Sequence, residues 1–155
     1  MAFGKCVVNA TNASQQCPRD SPCELEKLAK SKFYLAFESW STRSDYITEK
    51  FWRTLSHGAI PVVIGPKRED YERIAPPHSF IYVEDYENAE SLARYLKYVG
   101  ENQNEYAKYH RWRTDYETRY RASDVDPTRF CELCYRLNVN RDRVWYTDIR
   151  KFFLE

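Results

Sequence analysis

The segment from Lys32 to Pro66 places the tightest constraint on the fold. Lys32-Phe-Tyr-Leu-Ala-Phe-Glu38 is a compact apolar run of strand length, and Ala59 to Ile64, ending at Gly65-Pro66, is a second. Between them Asp45 to His57 has helical periodicity. Ile47, Phe51 and Leu55 form one stripe with Trp52 on its flank, a face suited to packing on a sheet. Gly58 is the residue type that stops such a helix. Two strands joined through a helix, not a tight turn, run parallel. Pro61 stands near the start of the second strand, where a missing N–H is tolerated.

The flanking segments extend this grammar. Glu24 to Lys30 reads as a short helix, Ser79 to Val83 as a third strand, and Asn88 to Gly100 as a helix with Ala89, Leu92, Ala93, Leu96 and Val99 in one stripe. Glu105 to Arg121 reads as an aromatic-rich helix, and helices are expected around Phe130 to Leu137 and Asp142 to Leu154. The expectation is an α/β fold, a parallel sheet covered by helices, without repeat or linker. Residues 5 to 24 and Ser39 to Ser44, around Trp40, read as loops. Hydrophobic residues make up 43% of the 155, enough for a core. Lys plus Arg is 24 against 23 for Asp plus Glu, so no charge excess points to nucleic acid or an anionic membrane. The longest run free of charged and polar side chains, Gly58 to Pro66, falls far short of the roughly 20 residues of a membrane span. Met1 to Ala10 has no signal-peptide pattern.

Cys6, Cys17 and Cys23 lie near the start, Cys131 and Cys134 near the end. Two sequons, at Asn9 and Asn12, sit in the same polar stretch as the first three cysteines, which favours a secretory or lumenal setting where disulfides persist. An odd count leaves one thiol free or paired outside the segment. Cys131-Glu132-Leu133-Cys134 admits a redox motif, half a zinc site or a structural disulfide. A Cys131–Cys134 disulfide is the expectation carried forward.

The helix from Asp45 carries the candidate chemistry. Tyr46, Glu49, Lys50 and Arg53 follow helical spacing opposite the apolar stripe and can share one ligand or one patch of solvent. Most lie in the first two turns, where backbone N–H groups and the dipole attract an anion. Lys50 adds a charge, Tyr46 a ring and hydroxyl, and Glu49 an acceptor for sugar hydroxyls. A nucleotide-sugar would suit them, at the carboxyl edge of a parallel sheet. The same pattern also fits a solvated face with a Glu49–Arg53 pair. No GxGxxG, Walker, HExxH or GxSxG motif is present. His57 reads as a helix-end cap, His78 and His110 have no evident partner, and Tyr71-Glu72 either touches a ligand or starts a helix. Tyr106, Tyr109, Arg113, Tyr116 and Tyr120 read as a packing stripe, and Lys67-Arg68-Glu69-Asp70 as solvated surface.

Lys32 to Glu38, Asp45-Tyr-Ile-Thr-Glu-Lys50, Gly58 to Pro66 and Tyr71-Glu72 follow one another in an order and spacing that closely resemble the donor-binding domain of the α1,3-fucosyltransferases, glycosyltransferase family 10. Ser79 to Asp85, His110-Arg-Trp112 and Cys131-x-x-Cys134 fit the same family, so the resemblance runs from Lys32 to the end. It implies the C-terminal, Rossmann-like half of a GT-B enzyme. Residues 1–31 would be a loop and short helix leading into a donor-binding domain at 32–155. GDP-fucose would be the donor, with Glu38, Ser39, Tyr46, Glu49 and Lys50 as contacts and Lys50 and Glu49 the catalytic pair. Ser39 departs from the family's Asn, which weakens or reroutes one contact.

The implied reaction is inverting transfer of L-fucose from GDP-β-L-fucose to a GlcNAc hydroxyl of a glycan acceptor in α1,3 linkage. The general base would come from an N-terminal acceptor domain outside the chain, so this chain alone would be an inactive fragment. No cofactor is required by the sequence; Asp124-Val-Asp126 lies in a Pro-flanked loop, no metal site is implied, and Mn²⁺ stimulation is compatible with that. The resemblance places the whole protein in the Golgi lumen as a single-pass type II membrane protein. The alternatives are a non-catalytic nucleotide-sugar or glycan-binding module of the same fold, or an unrelated lumenal structural domain.

Overall fold

The computed structural model describes residues 17, 21–39, 44–118, 127–140, 142–143 and 145–150. Two compact units are present, residues 1–118 and 119–155. The first holds a parallel three-stranded sheet in the order β1 (Phe33–Phe37), β2 (Ile60–Ile64), β3 (Ile81–Tyr82). Register pairs Phe33 with Ile60 and Phe37 with Ile64. The expected α/β class and Rossmann-like arrangement are therefore observed.

Helices cover both faces, as a sheet buried on both sides requires. On one face Ala36 and Val63 pack with Phe51 and Leu55 of α2 (Glu49–His57), Tyr71 of α3 (Arg68–Ile74), Tyr82 and Trp112. On the other, Ile60, Val62 and Ile81 pack with Leu92 and Val99 of α4 (Ala89–Glu101) and with Tyr109. The α2 stripe is thus the core face that its periodicity predicts. Ala89 and Ala93, expected in the α4 stripe, are exposed.

Local signals account for the helix ends. Helix α1 (Pro22–Ala29) starts with Pro at a first-turn position and with Ser21 Oγ accepting from Glu24 N at 3.3 Å. Helix α2 stops at Gly58, whose φ of 89° lies in the left-handed region where a side chain would be strained. His57 Nδ1 lies 2.8 Å from the Arg53 carbonyl in that last turn. Asn88 and Ser91 form a reciprocal capping box on α4. Asn102 caps α5 (Gln103–Lys108), its side chain accepting from the N–H groups of Asn104 and Glu105.

Four expectations are corrected. The helix foreseen from Asp45 begins at Glu49, because Asp45 takes a left-handed φ of 63° and Ile47 N bonds back to Asp45 O at 2.8 Å. The third strand shortens to two residues and turns at once into a 3₁₀ helix, Val83–Asp85. The helix foreseen from Glu105 to Arg121 ends at Lys108, and a 3₁₀ turn at Arg111–Thr114 follows. Residues Arg68 to Asp70, expected as solvated loop, open α3, and Asp70 is buried.

The second unit contains α6 (Pro127–Val139). Cys131 and Cys134 stand on it as free, exposed thiols, so the expected disulfide between them is absent. In a regular helix Cβ atoms three residues apart are about 5–6 Å apart, beyond the roughly 4 Å a disulfide spans. The disulfide found joins Cys17 to Cys23. Among the described residues no helix is long and apolar enough to cross a membrane. Asn9, Asn12, Cys6, Trp40, Tyr120, Asp124 and Asp126 lie outside the described residues. The helix expected from Asp142 is not formed at residues 142–143 and 145–148; only Ile149 and Arg150 are helical, and residues 144 and 151–154 lie outside the described residues.

Candidate functional site

The carboxyl edge of β1 delivers Glu38 to the amino end of α2. Its backbone continues the sheet, Glu38 N donating to Ile64 O at 2.7 Å. Its side chain is fully enclosed, 0% exposed. Oε1 accepts from Thr48 N at 2.8 Å and from Thr48 Oγ1 at 2.9 Å. Oε2 is 2.9 Å from the same hydroxyl and accepts from Lys50 Nζ at 3.0 Å. A buried carboxylate is tolerable only when its charge is matched and its lone pairs are occupied. Here both conditions are met.

Lys50 gains its orientation from the same cluster. Nζ also donates to Thr48 Oγ1 at 3.0 Å, so two of its three N–H donors are engaged. Among the described residues the third has no partner, and the side chain is 32% exposed. Thr48 is the N-cap of α2, yet its side chain makes no cap hydrogen bond; it is committed to Glu38 and Lys50 instead. Amino-terminal backbone of α2 therefore adjoins an oriented ammonium group, an arrangement that favours anionic oxygen.

Gly65 keeps this corner tight. A Cβ there would lie 2.5 Å from Tyr71 Oη and 3.1 Å from Glu38 Cγ. Tyr71 is wholly buried, and among the described residues its hydroxyl has no hydrogen-bond partner. Burial, then the nearby Glu38 carboxylate, holds that hydroxyl far above the ordinary tyrosine range, so it stays protonated.

The structure brings together some expected site residues and separates others. Glu38 and Lys50 are in direct contact, and Glu49 opens α2 beside them. Tyr46 is half-buried and lies before the helix, not on it. Ser39 is exposed. Arg53 turns away from the polar face: it is buried, donating to Glu24 Oε2 at 3.1 Å and to Tyr34 Oη at 3.3 Å. The wheel misplaced it because α1 packs over that side of α2. Tyr71, a potential ligand contact by sequence, is core. Thr48 was not singled out from sequence. Its signal was present, since threonine directly before Glu-Lys-Phe is a favoured N-cap.

Of the expected packing stripe, Tyr106 and Tyr109 pack into the core, whereas Tyr116 is exposed and Tyr120 lies outside the described residues. Tyr109 Oη lies 2.6 Å from Tyr95 Oη, His78 stacks on the Tyr109 ring, and Arg113 donates to Leu55 O at the end of α2. Burial, reinforced by Arg113, lowers the His110 pKa.

A parallel sheet with a charged, anion-compatible corner at its carboxyl edge defines the class of open α/β proteins that bind ligands across the strand ends. The profile of the glycosyltransferase family 10 (fucosyltransferase) C-terminal domain matches residues 1–152, further towards the start than the motifs alone reach. The chain is 45% identical over 131 residues to the 3-galactosyl-N-acetylglucosaminide 4-alpha-L-fucosyltransferase FUT3 of Homo sapiens, covering 79% of this chain and 35% of that protein. It is 46% identical over 114 residues to the 4-galactosyl-N-acetylglucosaminide 3-alpha-L-fucosyltransferase FUT6 of Homo sapiens, covering 73% of this chain and 31% of that one. A crystal structure of an alpha1,3-fucosyltransferase superposes with a TM-score of 0.51 at 21% identity, over 83% of this chain and 37% of that chain. The chain belongs to glycosyltransferase family 10, the fucosyltransferases, and spans about a third of the length of the curated relatives it matches.

Proposed function

We propose that this chain is the donor-binding half of a fucosyltransferase. It binds GDP-β-L-fucose for inverting transfer of L-fucose to a GlcNAc hydroxyl of a glycan, in α1,3 linkage. The observation that carries the reading is the Glu38–Thr48–Lys50 cluster at the carboxyl edge of β1, with one ammonium N–H uncommitted among the described residues beside the start of α2. Family membership supports the reaction type, and the relatives' names support a galactosyl-N-acetylglucosaminide acceptor.

In this reading the bond between the fucosyl anomeric carbon and the β-phosphate oxygen breaks through an oxocarbenium-like state, as in glycoside chemistry. The acceptor oxygen bonds to the opposite face of that carbon. Its proton passes to a carboxylate general base on an N-terminal acceptor domain, and GDP departs. Charge grows on the β-phosphate as the bond breaks. Lys50 and the α2 amino end bind that charge more strongly in the transition state than in the ground state. Glu49 and Tyr46 hold ribose or fucose hydroxyls, and Ser39 supplies a short hydroxyl at the strand end. Glu38, being enclosed, orients Lys50 and Thr48 without touching the donor. The sequence implies no bound catalytic metal, and stimulation by Mn²⁺ is compatible with these steps. Paired sequons at Asn9 and Asn12 support glycosylation in the Golgi lumen, where the whole protein would sit as a single-pass type II membrane protein.

The test is calorimetric titration of GDP and GDP-fucose into the folded chain and its Lys50→Ala variant, with transfer assayed on the complete protein. Binding lost in the variant, and no transfer by the 155-residue chain alone, are expected. A folded chain that binds neither ligand, with unimpaired transfer by the complete Lys50→Ala enzyme, would overturn the reading.

A further inference from the structure

We propose that Arg73 is a positioning residue of the donor site, acting on it through the backbone strap Asp45–Thr48. This inference rests on the function proposed above.

The strap links the end of β1 to the start of α2 and carries Tyr46 and Thr48. Three anchors define its course. At its far end Thr48 N is held by Glu38 Oε1 at 2.8 Å. In the middle Ile47 packs against the core cluster that contains Phe51 and Tyr71. At its near end the Asp45 carboxylate accepts a hydrogen bond from Arg73 NH2, in the last turn of α3. Asp45 takes the left-handed φ of 63°, a conformation that reverses the chain and that aspartate tolerates better than most residues. With the near end fixed, the strap is held on both sides of Tyr46.

Arg73 suits this role because it is itself fixed. The same NH2 group donates to Asp70 Oδ1 at 2.9 Å. Asp70 is 7% exposed, and among the described residues its Oδ2 has no partner. Arg73 is 58% exposed, so this pair is partly screened, but it gives the guanidinium a second partner. Asp70, Arg73 and Asp45 thus form a chain from the interior of α3 to the strap. Since α3 follows β2 and the strap follows β1, the bridge joins the two connections that leave the carboxyl edge of neighbouring strands. That edge is where the Glu38–Lys50 pair lies.

A merely structural bridge and a positioning bridge differ in what they move. Arg73 and Asp45 are mostly exposed, so their pairing contributes little to global stability. Local order of the strap, and therefore ligand affinity, is the sensitive quantity. GDP is the probe, titrated calorimetrically into the folded chain carrying Arg73→Ala, Asp45→Asn (which keeps the tolerance for the left-handed φ and removes the charge), both together, or Arg73→Lys. Thermal midpoints and amide hydrogen exchange of residues 45–48 are measured on the same samples.

The expected result is a loss of GDP affinity of roughly three- to five-fold in Arg73→Ala and in Asp45→Asn, matching the strength of one such ion pair. The double variant loses no more than either single one, and Arg73→Lys recovers most of the affinity. Exchange in the strap rises while thermal midpoints barely change. Unchanged GDP affinity in Arg73→Ala would overturn this inference and leave the proposed function standing. Additive losses in the double variant would also overturn it. Wild-type chain that binds no GDP would overturn the function proposed above and this inference with it.

Discussion

Replacing Gly65 by alanine tests the packing beneath the site. Gly65 does not have a positive φ, so backbone strain is not the reason for glycine there. Space is the reason: the new Cβ meets Tyr71 Oη at 2.5 Å, Glu38 Cγ at 3.1 Å and Glu38 Cβ at 3.3 Å. Tyr71 cannot retreat easily, because its ring packs on Phe51 and Phe80 with centroids 5.3 Å from each. Overpacking of this kind costs about 1–3 kcal/mol. The stiffer unfolded chain of an alanine variant returns about 0.4–1 kcal/mol. A net loss centred on about 1.3 kcal/mol follows, or a melting midpoint lowered by about 3–5 °C for a chain of this size. Removing the Tyr71 hydroxyl removes the worst contact. Tyr71→Phe should itself be nearly neutral, since the hydroxyl has no partner among the described residues. In that background Gly65→Ala should cost under about 0.5 kcal/mol, a coupling of about 0.8 kcal/mol or more. Urea denaturation of the four proteins measures it. An equal cost of Gly65→Ala in both backgrounds would refute the contact geometry. A loss above about 1.5 kcal/mol for Tyr71→Phe alone would show that the hydroxyl is bonded after all.

Further outcomes follow from the same corner and its surroundings. Lys50→Ala in the complete enzyme should lower turnover on the order of 10²-fold or more, the scale of losing one preorganised donor group, as read by steady-state transfer kinetics. Thr48→Val keeps the shape but strips a hydroxyl from a buried carboxylate; a loss of about 1–2 kcal/mol in urea, with weaker GDP binding, is expected. Arg53→Ala removes a buried guanidinium and its pairing to Glu24, so about 2–3 kcal/mol of stability should go while Lys50 chemistry in GDP titrations stays intact. His110 has a lowered pKa, so the unfolded chain takes up its proton first as pH falls. Stability should be full above the ordinary value of about 6.5 and decline as pH drops through 6.5 towards the folded value; thermal melts of His110→Gln should lack that decline.

The sequence made some of this legible because local and tertiary preferences agree there. Apolar runs at Phe33–Phe37 and Ile60–Ile64 became paired parallel strands, and Gly58 became the stop of α2. Asp45 reads as the start of the helix because an amphipathic stretch follows it. Its left-handed backbone and the turn at Ile47 delay the helix to Thr48, a better cap in plain view. Arg53 looked solvated because a helical wheel cannot see α1, whose Glu24 draws it inward. Lys50 was legible as a charge near a helix start. What orients it was not, since Glu38 and Thr48 meet only when β1 and α2 are placed side by side. The aromatic helix after α4 broke at Tyr109 because that ring is committed to the core and to Tyr95.

Glu38, Thr48 and Lys50 also restrict how such a site can change over evolutionary time. Each member satisfies the other two, so any single replacement strands a buried carboxylate, a hydroxyl or an ammonium group. A shift to arginine at 50 meets the same barrier, since a planar fork does not fit the niche of a point charge. Mutational paths through this corner therefore pass through less stable intermediates unless two changes arrive together. New ligand preferences are cheaper to acquire at the rim, where Ser39 is exposed and makes no contribution to that triad.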